Sequence, residues 1–471
     1  MGRERKKEKV GRPKVHLIGI GGIGVSALAR WFASYGWFVS GSDVERGAIT
    51  QSLVEKDGVR VSIGRHAKKN VPRGADLIIY SPAVAESNPE LKAARAANVP
   101  ALSYPAAVGA LTRNHATIAV AGAHGKSTTT ALIGLMLIKG ELDPTIIVGT
   151  NLRELGGKNF RHGGGPHLVL EADEYGRAFH HHSPSITVVT NIDREHLDTY
   201  GTIAGVKRAF KKFIRRTVRG GTLVLNRDNP PLRGMGGDIR KIARARGLRV
   251  FWYYTKNRMA HEAKKHIRIA GAHNVSNAVA ALTVAVKVLK IKKARALEAL
   301  GKYRGAWRRM EYRGELKVPS ETYSMPPIKT LVFDDYAHHP TEIRATLSAF
   351  REKFPHARII CVFQPHQAKR LGFLFGKFID AFRGADALIL LPVYQVAGRD
   401  KVDPRFTSKT LAAAIQKKYA RRQVLYLANP KNLKTTLVKL TRGKTTSKSK
   451  TEAVIVMMGA GDIIKHTSAL I

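Results

Sequence analysis

The stretch VAGAHGKSTTT, residues 120–130, joins the end of an apolar run to a glycine-rich turn. Gly125, Lys126 and Ser127 fit the end of the phosphate-binding pattern G-x-x-x-x-G-K-[ST], in which backbone N–H groups surround phosphates ahead of a lysine and a hydroxyl. The position five residues before Gly125 is Val120, however, and the nearest upstream glycine is Gly122. The residues alone therefore leave open two interpretations, a degenerate match and an ATP site of another design.

The same succession of an apolar run and a polar or glycine-rich cluster recurs along the chain. The seven pairs, each written as the apolar run and then its cluster, are VHLI-GIGGIG, TIAVA-GAHGKS, LVL-EADE, ITVVT-NIDREH, LVF-DDYAHHP, IICVF-QPH and AVIVMM-GAGD. Short apolar runs that alternate with helical patterns predict parallel α/β sheets. Because ligands of open α/β sheets bind beyond the carboxyl ends of the strands, these clusters predict a substrate site. We therefore expect an enzyme.

The length of the chain indicates several domains. At roughly 150 residues per domain, 471 residues correspond to about three. The first unit, 1–113, holds a glycine turn after its first apolar run. The second, 114–313, holds the short phosphate loop, and the third, 314–471, holds DDYAHHP and QPH. The predicted fold class is α/β with three domains.

The glycine turn of the first unit has two interpretations. Gly19, Gly21 and Gly24 form G-x-G-x-x-G, and Asp43 ends the next predicted strand about 20 residues on, as the dinucleotide fingerprint requires. Taken alone, this pattern indicates an NAD-dependent oxidoreductase. A glycine turn at a helix N-terminus can nevertheless bind any diphosphate, because its N–H groups and the helix dipole recognise charge.

Composition and cysteine usage favour a soluble, cytoplasmic protein. The chain is 44% hydrophobic and 24% charged, which is typical of globular proteins. Its one cysteine, Cys361, lies in the apolar run RIICVF, so we expect a buried thiol and no intrachain disulfide. The basic N-terminus precedes an apolar stretch that imitates a signal peptide, but its four glycines and an amphipathic continuation argue against export. No run reaches the ~18 apolar residues of a membrane helix.

The net charge is strongly positive, with 80 Lys+Arg against 35 Asp+Glu. Such an excess attracts polyanions, so nucleic-acid binding is an alternative function. The charge is spread along the chain, however, and no RRM, KH or zinc motif accompanies it. Residues 203–216 predict a packed helix with a solvated basic face, and 441–450 predict an exposed loop. We expect neither a specific nucleic-acid partner nor a membrane partner, and a host proteome rich in basic residues would explain the charge equally well.

Nine motifs occur in order along nearly the whole chain. They are GIGGIGVSALA (19–29), SGSD (40–43), GAHGKSTTT (122–130), EADE (171–174), TNIDREHLDTY (190–200), GAHNVSNAVAA (271–281), RRMEYRGE (308–315), DDYAHHPTE (334–342) and VFQPHQAKR (362–370). Together they resemble the Mur ligases. The phosphate loop of that family is the shorter G-x-x-G-K-[ST], so the resemblance makes Val120 the end of a strand. It implies a Rossmann-like UDP-sugar-binding domain (1–113), a central P-loop-type ATP-binding domain (114–313) and a Rossmann-like amino-acid-binding domain (314–471).

The resemblance also implies a reaction. The lactyl carboxylate of UDP-N-acetylmuramate attacks the γ-phosphate of ATP, and the amine of L-alanine displaces phosphate from the resulting acyl phosphate, in peptidoglycan precursor synthesis. The implied cofactors are ATP and Mg²⁺, with Mn²⁺ as an alternative metal. The implied partners are these small molecules, and the chain is either a monomer or a homodimer. A related branch of the family, which adds a ready-made tripeptide to the same UDP-sugar in murein recycling, is the closest rival.

The resemblance assigns site residues by position in the motifs. The ATP-binding residues are Gly122, Ala123, His124, Gly125, Lys126, Ser127, Thr128, His273, Asn274, Asn277 and Arg308 or Arg309. The metal ligands are Ser127, Glu171 and His196, and the catalytic residues are Lys126, Glu171, His196 and His338. The UDP-sugar residues are Gly19, Gly21, Gly22, Gly24, Ser26, Asp43 and Ser81, and the amino-acid residues are Asp335, Tyr336, His338, His366 and Arg370. His196 rests on the resemblance alone, because Mg²⁺ prefers oxygen ligands.

Some positions depart from the pattern of the resemblance. Gln367 stands where the family often has an arginine three residues before Arg370, Gly176 replaces a usual aspartate, and Glu195 replaces the aspartate before the metal histidine. Gln367 removes a cationic donor, so we expect a raised KM for L-alanine and some tolerance for serine or glycine. The run His180-His181-His182 imitates a metal-binding tract but is expected to be a loop feature.

Overall fold

The computed structural model describes residues 11–317, 329–395, 403–441 and 453–471. The chain folds into three successive α/β units, each built on its own sheet, which confirms the predicted fold class. The first ten residues and most of the predicted 441–450 loop lie outside the described residues. In the part of the chain that is described, no helix is long and apolar enough to span a membrane.

The first unit is a parallel sheet of strand order β3-β2-β1-β4-β5. Its strands are β1 (Lys14–Ile18), β2 (Phe38–Asp43), β3 (Arg60–Ile63), β4 (Leu77–Tyr80) and β5 (Ala101–Ser103). Its helices are α1 (Ile23–Ser34), α2 (Ala48–Asp57), α3 (Pro89–Ala96) and α4 (Tyr104–Arg113). Helix α1 starts directly after the glycine turn, and its first residue, Ile23, lines a cleft shared by the three units.

The second unit has the strand order β12-β11-β10-β6-β9-β7-β8, parallel except for β8. Its strands are β6 (Ala116–Ala121), β7 (Thr145–Leu152), β8 (Lys158–Arg161), β9 (His167–Glu171), β10 (Ile186–Val189), β11 (Thr222–Asn226) and β12 (Arg249–Tyr253). Its helices are α5 (Lys126–Lys139), α6 (Leu197–Tyr200), α7 (Ile203–Arg215), α8 (Pro230–Arg233), α9 (Gly236–Arg246), α10 (Arg258–His266), α11 (Ala272–Leu282) and α12 (Lys293–Lys302). A π-helical turn, Thr283–Val288, extends α11.

The third unit has the strand order β13-β14-β18-β15-β16-β17, parallel except for β13. Its strands are β13 (Glu311–Glu315), β14 (Thr330–Asp335), β15 (Arg358–Phe363), β16 (Ala387–Leu390), β17 (Gln423–Tyr426) and β18 (Ala453–Met458). Its helices are α13 (Pro340–Lys353), α14 (Ala368–Ile379), α15 (Ser408–Lys418), α16 (Leu433–Thr441) and α17 (Ile463–Thr467). Cys361 is fully buried in β15, as the apolar run around it predicts.

The predicted amphipathic helix at 203–216 forms as α7. Val206, Phe210, Phe213 and Ile214 are buried against the central sheet, whereas the basic side chains between them lie at the surface or partly exposed. The histidine run ends a 3-10 segment, Tyr175–His181. His182 is buried, and burial lowers its pKa to about 3, which fits a packing role.

Candidate active site

One cleft is lined by all three units. Its volume is about 400 Å³, and many of its lining residues belong to segments that follow the carboxyl ends of the strands. The first unit contributes Ile23 and Ile49. The second unit contributes Ala123, His124, Gly125, Lys126, Ser127, Gly149, Thr150, Glu171, Asp173, Tyr175, Glu195, His196, Trp307 and Arg309. The third unit contributes Tyr336, His338, Glu342, His366, Gln367, Arg370 and Ala460. Many residues predicted from distant motifs therefore meet in one place.

The phosphate loop depends on glycine at two positions. Gly122 has φ +148° and Gly125 has φ +81°, conformations that side chains rarely adopt. A Cβ at Gly125 would collide with the amide of Asn277, and one at Gly122 would collide with the Thr190 hydroxyl. The loop therefore turns tightly from β6 into the N-terminus of α5, where free N–H groups can surround phosphates.

Lys126 is held by an internal counterion. Its Nζ lies 2.9 Å from Glu174 Oε2 and 2.7 Å from the carbonyl oxygen of Gly122. Burial would lower the pKa of Lys126, but the nearby charges, above all Glu174 and Asp173, outweigh this effect and raise the pKa. The ammonium group is therefore charged and already positioned beside the phosphate loop.

Two sets of candidate metal ligands flank Lys126. The Ser127 hydroxyl donates to Glu171 Oε1 at 3.1 Å, and the Gly149 N–H donates to Glu171 Oε2 at 2.7 Å. Asp173, Glu174 and His196 form a second set whose ligand atoms all lie within 4.8 Å of one another. Carboxylate and hydroxyl oxygens are the ligands that Mg²⁺ prefers, so this part of the cleft suits a divalent cation. His196 lies with Glu174, 3.8 Å between Nε2 and Oε1, on a left-handed backbone (φ +52°).

His124 connects the phosphate loop to the third unit. Its Nε2 lies 3.1 Å from Asp193 Oδ2, and its Nδ1 lies 3.3 Å from Glu342 Oε1 at the start of α13. Burial alone would lower the pKa of His124, but the hydrogen bonds to the two carboxylates raise it to about 10. His124, Asp193 and His339 are close enough to hold a metal ion, but a protonated imidazole is a poor ligand. His124 therefore adds a second positive charge beside the phosphate loop.

A second cavity, of about 260 Å³, lies beside the phosphate loop. Its lining includes Thr128, His273, Asn274, Asn277 and Asp335. Asn274 Nδ2 donates to the carbonyl oxygen of Ala270 at 2.7 Å, which fixes that amide. Burial lowers the pKa of His273 to about 4, so its ring is neutral at physiological pH. The residues predicted to surround the adenine thus line one cavity next to the phosphate loop.

Arg308 and Arg309 have different surroundings in the structure. Arg308 is buried, and its Nη2 donates to the carbonyl oxygen of Gly459 at 2.5 Å. Arg309 lines both the cleft and the adjoining cavity, and its Nη1 lies 3.7 Å from Glu342 Oε1. Arg309 is therefore the arginine that can approach a phosphate in this arrangement.

The third unit contributes a buried carboxylate and two neutral histidines. Asp335 is buried, and it accepts the N–H groups of Met310 and Ala337, each at 2.9 Å. His338 Nδ1 lies 3.0 Å from the carbonyl oxygen of Tyr336, so Nδ1 carries the proton and Nε2 is left as an acceptor. Burial lowers the pKa of His338 to about 4 and that of His366 to about 3. Both rings are neutral at physiological pH.

Arg370 forms an ion pair with Glu195 of the second unit. Its Nη2 donates to Glu195 Oε1 at 2.7 Å and its Nε donates to the same oxygen at 3.1 Å. Its Nη1 lies 3.2 Å from the carbonyl oxygen of His366. Arg370 is 9% exposed and Glu195 is 5% exposed, so this is a buried ion pair between two units. Gln367 lies one turn earlier with φ +67°, at the cap of α14.

The glycine turn of the first unit carries its own carboxylate. The Gly21 N–H donates to Asp43 Oδ2 at 2.8 Å, and Gly19 has φ +76° next to Ser81. Ser26 is fully buried, and its hydroxyl donates to the carbonyl oxygen of Ile23 at 2.9 Å and accepts from Asn159 Nδ2 at 3.1 Å. In this arrangement Ser26 supports the start of α1 against the second unit and is not exposed to a ligand.

Several residues in or next to the cleft were not among the predicted ones. Glu174, Asp193, Glu195 and Glu342 all belong to motifs that the sequence analysis quotes, but their roles as partners of Lys126, His124 and Arg370 depend on contacts between distant motifs. The available signal was a carboxylate in a polar cluster that follows a strand. The left-handed backbones of His196, Arg308, Met310 and Gln367 had no signal in the sequence.

Comparisons with known proteins agree with this site. Residues 14–116 match the Mur ligase family catalytic domain, 120–285 the Mur ligase middle domain, and 321–461 the Mur ligase glutamate ligase domain. The UDP-N-acetylmuramate–L-alanine ligase of Symbiobacterium thermophilum is 36% identical over 480 residues, covering 97% of this chain and 94% of that protein. The enzyme of the same name from Desulfosudis oleivorans is 37% identical over 412 residues, covering 83% and 85%.

A solved structure resembles the whole chain. The crystal structure of the UDP-N-acetylmuramate-alanine ligase of Thermotoga maritima superposes with a TM-score of 0.73 at 27% identity, covering 97% of this chain and 98% of that one. The family models together match more than half of this chain, and the curated relatives exceed 30% identity over most of it. The chain therefore belongs to the Mur ligase family.

Proposed function

We propose that this protein is an ATP-dependent ligase that joins L-alanine to the lactyl carboxylate of UDP-N-acetylmuramate. The observation that carries the proposal is one cleft to which all three units contribute, lined by the phosphate loop of the second unit and by neutral histidines of the third. The relatives described above, named for this activity at 36–37% identity, support the choice of substrates. The reaction belongs to peptidoglycan precursor synthesis, and we propose the cytoplasm, where ATP is available.

The first step brings two anions together. A lactyl carboxylate oxygen attacks the γ-phosphorus of ATP, the bond to the ADP oxygen breaks, and an acyl phosphate forms. Lys126 and protonated His124 belong to the phosphate loop, and Arg309 lines the same cleft, so their charges reduce the repulsion. Lys126 would exchange its bond to Glu174 for one to a phosphate oxygen. The nucleoside would occupy the cavity lined by His273, Asn274 and Asn277.

A divalent cation fits the same wall. Ser127 and Glu171 would hold one Mg²⁺ or Mn²⁺, and His196 with Asp173 and Glu174 would hold another, because these donors are close together and mostly oxygen. Bound there, the cation would neutralise phosphate charge. We propose Mg²⁺ as the physiological metal.

The second step needs an unprotonated amine. The α-ammonium of L-alanine must lose a proton before its nitrogen attacks the acyl carbon and phosphate leaves. His338 Nε2 is an available acceptor at the cleft, since Nδ1–H is bound to the Tyr336 carbonyl. The pKa of His338, about 4, makes it a weak base, so it can pass the proton on rather than retain it.

Phosphate release tests the proposal. With ATP and Mg²⁺ present, we expect phosphate release to require both UDP-N-acetylmuramate and L-alanine. Release that occurs equally without the UDP-sugar, or hydride transfer with a nicotinamide cofactor, would contradict it.

A further inference from the structure

A third cavity adjoins the cleft on the far side of the Glu195–Arg370 pair. Its volume is about 350 Å³. Five residues line both this cavity and the cleft: Tyr175, Glu195, His196, Gln367 and Arg370. The two spaces are therefore neighbours that share a wall, and the buried ion pair is part of that wall.

The proposed reaction needs a separate route for its third substrate. The acyl phosphate must form before the amino acid attacks, so the nucleotide and the UDP-sugar already occupy the cleft when the acceptor arrives. The cavity beside the phosphate loop and the side facing the glycine turn are then filled. Among the described residues, the third cavity adjoins the cleft on a side that neither of these substrates is proposed to occupy.

The lining of the third cavity suits a small zwitterion. Arg194 and Lys369 bring positive charge to its walls, and Asp198 brings negative charge. Leu197 and Leu374 add an apolar surface that a methyl side chain can contact. Its volume also lies within the range of small-molecule pockets, roughly 300–1,000 Å³.

The shared wall has an unused hydrogen-bond acceptor. Glu195 Oε1 accepts both bonds from Arg370, whereas Oε2 is buried and has no hydrogen-bond partner among the described residues. The ring nitrogen Nε2 of His339 lies 3.6 Å from Oε2, too far for a hydrogen bond. A buried carboxylate oxygen without a donor is costly, so it marks a place where an ammonium group would be stabilised.

We propose that the third cavity is the entry vestibule for the acceptor amino acid, and that the Glu195–Arg370 pair is its inner gate. This inference rests on the proposed function. The incoming carboxylate replaces Glu195 on the Arg370 guanidinium, and the incoming ammonium binds Glu195, so the pair opens by exchange of ionic partners. The vestibule accepts free α-amino acids with small side chains.

A cysteine label can obstruct this vestibule selectively. Phe373 lines the cavity and is 61% exposed, whereas Cys361, the sole native cysteine, is fully buried. Phe373→Cys would therefore be labelled at one site by a bulky maleimide dye. Lys377→Cys is the matched control, because Lys377 is exposed on the same helix, α14, and does not line the cavity.

Each labelled protein is compared with its own unlabelled form in two assays. The first measures kcat/KM for L-alanine in ligation, and the second measures single-turnover ADP formation without L-alanine. For labelled Phe373→Cys we expect kcat/KM for L-alanine to fall at least about tenfold because access is slowed, while ADP formation stays within about twofold. Labelled Lys377→Cys should retain both its kcat/KM for L-alanine and its rate of ADP formation.

Two results would overturn the vestibule. One is an unchanged kcat/KM for L-alanine after complete labelling of Phe373→Cys, and the other is an equal fall in both assays. A failure of the proposed function is distinguishable, because the unlabelled wild-type protein would then not ligate L-alanine at all.

Discussion

Lys126 and Glu174 form a buried ion pair, 2.9 Å between Nζ and Oε2, directly beside the phosphate loop. Glu174 is 1% exposed, so its charge would be unfavourable without this partner. The pair keeps the ammonium group in place in the absence of nucleotide. A phosphate that approaches the loop therefore meets a cation that is already positioned and needs only to change partners.

Lys126→Ala should abolish ligation while UDP-N-acetylmuramate binding stays nearly intact. The loss of a preorganised cation at the transferred phosphate costs about 3 kcal/mol or more of transition-state stabilisation, which corresponds to at least about a hundredfold in kcat. Steady-state phosphate release and calorimetric titration of the UDP-sugar measure the two effects. Lys139→Ala is the control, because Lys139 ends the same helix at the surface, paired with Glu298. Near-normal turnover of Lys126→Ala would refute the ATP-site assignment.

Glu171→Gln should weaken catalysis more than His196→Gln. Glu171 is an anionic ligand next to Ser127, and removing its charge leaves more cation charge uncompensated than removing a neutral imidazole does. Activity measured against Mg²⁺ concentration for both variants tests the ranking. If the histidine variant is the more damaged and high Mg²⁺ does not rescue it, the ranking is wrong.

Glu195→Gln should raise the KM for L-alanine by about ten- to hundredfold, because the neutral amide no longer offers a charged partner to the incoming ammonium group. The KM values for ATP and UDP-N-acetylmuramate should stay within about threefold, since the side chain acts on Arg370. Glu141→Gln is the control variant, as it removes a largely exposed carboxylate that is also paired with an arginine, Arg295. Equal increases in all three KM values would indicate a general loss of packing instead.

His124 should make stability depend on pH in the alkaline range. Its pKa is raised from 6.5 to about 10 in the folded protein, so its contribution is fully present below pH 6.5 and is lost as the pH rises through about 10. The difference in thermal midpoint between wild type and His124→Gln should therefore shrink from pH 6.5 to pH 10. The exposed His356, changed to Gln, is the control. A difference that is constant over this range would contradict the raised pKa.

Much of the architecture could be predicted because it depends on local patterns. Alternating apolar runs predicted the strands, and the apolar stripe from Val206 to Ile214 predicted α7, since helix amphipathicity is a property of neighbouring residues. The turn at Gly122 and Gly125 could also be predicted, because only glycine fits such a sharp approach to neighbouring side chains.

Contacts between distant motifs could not be predicted in the same way. Arg370 and Glu195 are 175 positions apart, and only the packing of the third unit on the second brings them together. The glycine turn gives a second example, because the pattern assigns Asp43 to a ligand whereas the structure uses it to hold the Gly21 N–H. Which of Arg308 and Arg309 can approach a phosphate likewise depends on the turn before β13, which buries the side chain of Arg308.

A competition between acceptors tests the central claim most directly. The protein is incubated with ATP, Mg²⁺ and UDP-N-acetylmuramate together with L-alanine, glycine, L-serine and the tripeptide L-Ala-γ-D-Glu-meso-diaminopimelate at equal concentrations, and the products are separated by mass. We expect the L-alanine adduct to dominate, with minor serine and glycine adducts because one methyl group discriminates by only ~1–3 kcal/mol. A product mixture dominated by the tripeptide adduct, or the absence of any amide product, would contradict the account.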